Sequence, residues 1–166
     1  SNFGHEKLPS HEERYDLADE YLEVVYKLWE ASWEEDAVLR DTERGVYADP
    51  AKVHQINHKG MHFDVVGPHL SEPSPQRTPL LFQAGSSTRG RSFAAKHAEC
   101  VFVVDSRRSL TGLASVISDV RNQAARNGRS PEDVLFFQGL SPVVGGTEAE
   151  AKAKEAEYLE QFSTEG

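Results

Sequence analysis

The sequence predicts an α/β fold with a parallel sheet. From residue 79 onward, short apolar runs (PLLFQA, CVFVV, VLFFQGL) alternate with helix-length amphipathic stretches, and the connections are short. Apolar runs of that length, without polar alternation, fit strands covered on both faces, as parallel strands are. Such units cross over right-handedly. About three strand–helix units are too few to close a (β/α)8 barrel, which needs eight units and about 250 residues. The 166 residues are therefore either a small open sheet or part of a barrel whose other strands lie elsewhere.

The elements are justified one by one from the N-terminus. Ser10 and Glu13 form a capping-box pattern, and Leu17, Tyr21, Val24, Val25, Leu28 and Trp29 recur at three- and four-residue steps. The spacing predicts a helix to about Ser32 with those side chains on one face, and with Asp16, Asp19, Glu20, Glu23 and Lys27 largely elsewhere. Residues 33–79 differ. Trp33 to Gly45 is charged and weakly patterned, and YADPAKVHQINHKG and GPHLSEPSPQRTP read as loop, with MHFDVV as a short strand or hairpin arm. So long a stretch with little regular structure fits a functional insertion or lid. The expected organisation is a helical region over 1–32, an insertion over 33–79 and strand–helix units over 80–166.

In the last region PLLFQA, CVFVV and VLFFQGL are the strands. STRGRSFAAKHA can be helical, and Leu110, Leu113, Val116, Ile117, Val120 and Ala124 mark one face of the next helix, which Gly128 is placed to end. The final helix begins at a second capping-box pattern, Thr147 and Glu150.

Composition narrows the function. The chain is 38% apolar and 27% charged, without the eighteen or so uninterrupted apolar residues of a membrane span or a signal peptide in its polar first residues. The net charge of -9 argues against a nucleic-acid partner. Basic residues cluster only locally, at Arg89, Arg91 and Lys96 and at Arg107 and Arg108. Cys100, the one cysteine, sits in an apolar run, which suits a core position and a reducing cytoplasm. The chain starts without Met, so an excised piece of a longer protein is expected.

Four groups of residues could carry chemistry. Gln83, Ala84, Gly85, Ser86 and Ser87 lie where a strand gives way to a helix, at the end where α/β proteins bind ligands. Gly85 permits close backbone approach or a positive φ, and hydroxyls with free helical N–H groups make a phosphate cradle. The same residues also describe an ordinary capped turn. The segment is neither a P-loop nor a dinucleotide fingerprint. His54, His58 and His62 are spaced by four, but Asn57 and Gly60 argue against a helix there and no zincin motif is present, so surface or loop-packing histidines are expected and no metal. Arg14 and Tyr15, in the first turn of the first helix, could reach a phosphate or could be a packed Tyr and a surface Arg. The carboxylates of 33–44 read as a solvated segment, and no catalytic couple or nucleophile elbow is visible.

The order of motifs is more specific than any one of them. NFG, then H-x-x-RY, the LW…SW…DA run, YADP…VH…HKG and P-x-x-x-QAG-S, followed by GLSPVVGGTEAEA, resembles the flavin-dependent monooxygenases of the bacterial-luciferase superfamily. The similar branch holds nitrilotriacetate, dibenzothiophene-sulfone and long-chain alkane monooxygenases. The resemblance spans essentially the whole chain and implies an internal part of a (β/α)8 TIM barrel. It implies reduced FMN as cofactor, O2 as co-substrate, and oxygenation of a small organic molecule through a flavin peroxide. It implies a separate NAD(P)H:flavin reductase as partner and a homo-oligomer. It places the FMN phosphate against Tyr15, against Gln83, Ala84, Gly85, Ser86 and Ser87, and near Asn2 of the NFG motif. It puts the 33–79 insertion at the substrate mouth and a subunit interface. The alternative is a non-catalytic α/β module that binds an anion or assembles with a partner.

Overall fold

The computed structural model describes residues 8–103 and 110–161. Asn2, with the rest of NFG, and the Arg107–Arg108 pair lie outside the described residues. The elements run α1 (His11–Tyr26), β1 (Val38–Asp41), β2 (Val46–Ala48), β3 (His58–Lys59), β4 (Asp64–Val65), β5 (Phe82–Gln83), α2 (Thr88–His97), β6 (Cys100–Val103), α3 (Leu110–Arg126), β7 (Leu135–Gln138) and α4 (Glu148–Gln161).

Three strands, in order β5-β6-β7, form one parallel sheet. Helices α2 and α3 connect them and pack on the same face. Ala94, Ala95 and Ala98 of the α2 end, Val101 and Val103 of β6, Val120 and Ala124 of α3, and Val134 before β7 form one buried cluster. The alanines let helix and sheet approach closely, and the valines fill the remaining space. Cys100 is buried in β6, as its apolar run predicts. The opposite face carries Phe82, Phe102, Leu135 and Phe137, all exposed, with the Phe82 and Phe137 rings 5.6 Å apart. Helices on one side and large apolar residues on the other is the arrangement of a barrel wall seen in part, with the wall's inner face bare. A doubly wound sheet would carry helices on both faces.

Helix α1 starts at the predicted capping box: Ser10 Oγ accepts from the Glu13 N–H and the Glu13 carboxylate accepts from the Ser10 N–H. A π-helical turn over Lys27–Ala31 then carries the helix close to the predicted end at Ser32. The predicted apolar face is only partly used. Val24 and Val25 are buried, whereas Leu17 and Tyr21 are exposed. Gly128, with φ +78°, ends α3 as expected. At α4 the Thr147 hydroxyl accepts from the Glu150 N–H, but the Glu150 carboxylate reaches back to the Gly146 N–H, one residue before the cap.

The 33–79 segment departs from the loop-like expectation. It contains two antiparallel hairpins, β1–β2 and β3–β4, and a 3-10 turn over Pro50–Lys52. Ser32, fully buried, anchors it: its carbonyl accepts from His54 N–H and its hydroxyl from His69 N–H. Trp33 donates its indole N–H to the His69 carbonyl, and Arg77 donates to the Trp33 carbonyl. Such contacts depend on polar atoms brought together from distant positions, and no hydrophobic period announces them.

Candidate functional site

The carboxyl end of β5 and the N-terminus of α2 meet the first turns of α1. The tie is Tyr15. Its hydroxyl lies 3.4 Å from Gln83 Nε2, and its ring packs edge-on to Phe93 of α2, with centroids 5.5 Å apart. The Arg89 guanidinium sits 5.5 Å over the same ring. His11, one helical turn before Tyr15, stacks at 5.0 Å from it and brings Nε2 to 3.2 Å from Ser87 Oγ.

Glycine is required twice here, and for closeness of approach. A Cβ on Gly85 would stand 2.8 Å from Tyr15 Oη and 2.6 Å from Gln83 Nε2. A Cβ on Gly90 would stand 2.6 Å from Tyr15 Oη and 3.1 Å from Ser87 Oγ. Gly85 does not adopt a positive φ, so of the two roles glycine allowed there, close approach is the one used. Ser87 is the N-cap of α2, its hydroxyl accepting from the Gly90 N–H at 3.0 Å. Ser86 and Ala84 are exposed beside it. The capped turn and the cluster of hydroxyls are thus one structure.

Of the sequence-predicted site residues, the structure brings Tyr15, Gln83, Gly85, Ser86 and Ser87 into one corner, with Ala84 at its rim. Arg14 is exposed, and the arginine that meets Tyr15 is Arg89. Two members escaped the sequence reading. His11 is the first residue of the H-x-x-RY motif, and the helical spacing of His11 and Tyr15 could have exposed it. Gly90 could have been found as a glycine in the first turn of a helix, where it lowers helix propensity and so calls for a packing reason.

The basic cluster at Arg89, Arg91 and Lys96 is neutralised by specific partners. Arg89 binds Asp19 at 2.5 Å and Asp16 at 3.1 Å, and Lys96 binds Asp19 at 3.1 Å. Burial opposes ionisation of Asp19, but hydrogen bonds from Arg89, His97 and Lys96 outweigh it and hold its pKa at about 2. The partner His97 moves in the direction of the neutral form: burial lowers its pKa, and the Asp19 hydrogen bond offsets this only in part. The pair is therefore carboxylate with neutral imidazole near pH 7. His97 Nε2–H donates to Asp19 at 3.0 Å, while Nδ1 accepts from the Tyr26 hydroxyl at 3.1 Å.

A second corner lies across α1. His58, 4% exposed, donates Nε2–H to Glu20 at 3.2 Å and accepts from Lys27 at 3.0 Å. The Glu20 carboxylate also accepts from the N–H groups of Met61, His62 and Phe63. Burial works against the charge, yet the N–H of His62, the His58 ring and the N–H of Phe63 hold the Glu20 pKa at about 2. His58 is thus a buried, paired histidine that packs the 33–79 segment against the first helix, the loop-packing role and not the surface one. An open cleft of about 580 Å³ runs between the Glu20 and Asp19 networks, and its charged walls are bound to one another.

The corner around Tyr15 suits an anion's oxygen atoms. Two hydroxyls, Tyr15 and Ser87, the His11 imidazole and the first turn of a ten-residue helix converge with no carboxylate in the β5–α2 turn. Gln83 Oε1 is buried beside it without a partner among the described residues.

Comparison with known proteins follows the same lines. Residues 1–165 match the family described as luciferase-like monooxygenase. The chain is 54% identical over 165 residues to the long-chain alkane monooxygenase of Geobacillus thermodenitrificans (strain NG80-2), covering 99% of this chain and 37% of that protein. A crystal structure of long-chain alkane monooxygenase superposes with a TM-score of 0.85, over 98% of this chain and 37% of its own. A riboflavin lyase crystallised with modified FMN and riboflavin superposes with a TM-score of 0.83 at 44% identity, over 93% of this chain and 34% of its own. Component A of nitrilotriacetate monooxygenase from Aminobacter aminovorans is 42% identical over 153 residues, 92% of this chain and 33% of that protein. The chain thus spans about a third of the length of these relatives, and its fold is a partial (β/α)8 barrel.

Proposed function

The chain belongs to the luciferase-like monooxygenase family, and from that premise we propose that it is the part of a two-component, flavin-dependent monooxygenase that grips the cofactor's phosphate. The observation that carries the reading is the close approach of Tyr15 Oη to both Gly85 and Gly90, with Ser87 Oγ beside Gly90: the missing side chains let these hydroxyls come against the first turn of α2.

FMN fits the residues present. Tyr15, Ser86, Ser87 and His11 would hold the phosphate, with the N-terminus of α2 behind them, and Gln83 Oε1 would meet a donor of the bound molecule. Reduced FMN with O2 supplies the oxygenating chemistry. The chain's own residues bind and orient. Tyr15 links α1 to the turn through Gln83, and Phe93 fixes its ring. The Arg89–Asp19–His97 network fixes α1 against α2, so the two halves of the grip move as one body. Asn2 remains a proposed contact on the strength of the NFG motif alone. Support for FMN comes from the neighbour solved with modified FMN. Support for a separate NAD(P)H:flavin reductase comes from the relative named as one component of its enzyme. The substrate is a small organic molecule, and the 33–79 segment borders its entrance and a homo-oligomer contact. Among the described residues no helix is long and apolar enough to cross a membrane.

Titration of FMN against the full-length enzyme, followed by flavin fluorescence, tests the reading. Saturable quenching is expected. A full-length protein that ignores both oxidised and reduced FMN overturns it, and leaves the anion-binding module as the account of the corner.

A further inference from the structure

Arg91 bonds directly to the proposed cofactor turn, and its guanidinium is turned to protein. Nε donates to the Ser86 carbonyl at 2.8 Å, and Nη1 donates to Asp119 of α3 at 3.2 Å. Asp119 is fixed in turn: Gln123 Nε2 donates to its other oxygen at 3.0 Å, and Ser92 donates to Gln123 Oε1 at 2.7 Å. A hydrogen-bonded line therefore runs from α3 through α2 to one peptide carbonyl in the turn between β5 and α2.

That carbonyl matters because a trans peptide points its C=O and N–H in opposite directions. Holding the Ser86 carbonyl on Arg91 points the Ser87 N–H away from Arg91. It also prevents the carbonyl, a negative dipole end, from turning toward an anion. The bonds are charge-assisted and come from a planar fork that can serve two acceptors at once, which a lysine ammonium does not reproduce in the same geometry.

We propose that Arg91 and Asp119 are positioning residues for the phosphate-binding turn: Asp119 holds Arg91, and Arg91 holds the Ser86–Ser87 peptide in its anion-accepting orientation. This rests on the FMN reading above and adds to it a residue, Asp119, that lies on a different helix from the turn.

The test is the affinity of the full-length apoenzyme for FMN and, separately, for riboflavin, which lacks the phosphate. Arg91→Ala and Asp119→Ala are each expected to weaken FMN about tenfold, the size expected for a lost charge-assisted bond, and to leave riboflavin within about twofold. The double variant is expected to be no weaker than Arg91→Ala, since the two act in series. Arg91→Lys is expected to stay as weak as Arg91→Ala. Asp119→Ala separates positioning from charge. Removing a negative group would tighten phosphate binding if only charge mattered, whereas loss of positioning weakens it. Alanine is the best helix former, so this substitution at a half-buried position keeps α3 intact, and melting curves verify it. Tighter or unchanged FMN binding in Asp119→Ala overturns the proposal, and so does equal weakening of FMN and riboflavin. If the unmodified enzyme itself fails to prefer FMN over riboflavin, the phosphate reading of the turn falls and takes this proposal with it. If it prefers FMN while both variants behave like wild type, the proposal alone falls.

Discussion

Helix α1 joins two regions that are held by different forces. Toward α2, Asp19 pairs with Arg89, Lys96 and His97 and Tyr15 packs on Phe93, and α2 in turn is held to the parallel sheet by a core of small apolar side chains, Ala94, Ala95, Val101, Val120 and Val134. Toward the 33–79 segment, the contact centres on one carboxylate, Glu20, gripped by three backbone N–H groups and a buried histidine, with Tyr21 packed on Phe63 beside it. Asp19 and Glu20 are neighbours in sequence and serve opposite sides. An apolar core is tolerant of detail and holds many residues at once. A carboxylate in a ring of N–H groups holds one loop, through one residue.

The comparison can be broken at either end. The largest effect is expected in the core. Val101→Ala removes two buried methyl groups and leaves a cavity, so it lowers unfolding free energy by about 2 kcal/mol, read by urea denaturation of the full-length enzyme. The exchange of the β3–β4 amides is expected to change only through that global term. Glu20→Gln acts the other way. The Met61, His62 and Phe63 amides lose a charged acceptor, and their hydrogen exchange speeds up while that of Val101 does not. Equal acceleration at both places would erase the distinction. A smaller effect, about 1 kcal/mol, is expected for Ser87→Ala, which removes the cap of α2.

The smallest effect is the pH dependence between pH 8 and about 5.5, where His97 titrates while the lowered carboxylates Asp19 and Glu20 stay ionised. Its folded pKa lies below the ordinary 6.5, so folding favours the neutral ring. That contribution is complete above pH 6.5 and is lost as pH falls below it. The Asp19 contribution is present above pH 3.8 and is lost only as pH falls from there toward 2. Melting temperatures between pH 8 and pH 2 are therefore expected to decline in two stages. A protein whose melting temperature rises on acidification from pH 7 to 5 would contradict the His97 assignment.

The parallel sheet and its helices were legible because buried strands and one-sided helices leave periodic apolar patterns. The capping box at Ser10 and the stop at Gly128 were legible because each is a local solution to a helix end. Two features of the 33–79 segment were not. Its hairpin strands are two to four residues long, too short for alternation to stand out. Its anchors, Ser32 and His58, are buried polar residues whose partners lie 20 or more residues away. The exposure of Leu17 and Tyr21 also went unread, since periodicity shows which side chains share a face and not what covers it. At the site, the β5–α2 turn was visible in the sequence, while the role of glycine was not decided until Tyr15 was seen to press against both Gly85 and Gly90.

Gly90→Ala in the full-length enzyme tests the central claim most directly. In an ordinary helix turn this substitution stabilises by up to about 1 kcal/mol. Here the new methyl would stand 2.6 Å from Tyr15 Oη and 3.1 Å from Ser87 Oγ, forcing apart the hydroxyls assigned to the phosphate. The account predicts FMN binding weakened at least about tenfold with riboflavin binding little changed. FMN affinity equal to that of the unmodified enzyme would show that the corner between α1 and α2 does not hold the cofactor's phosphate.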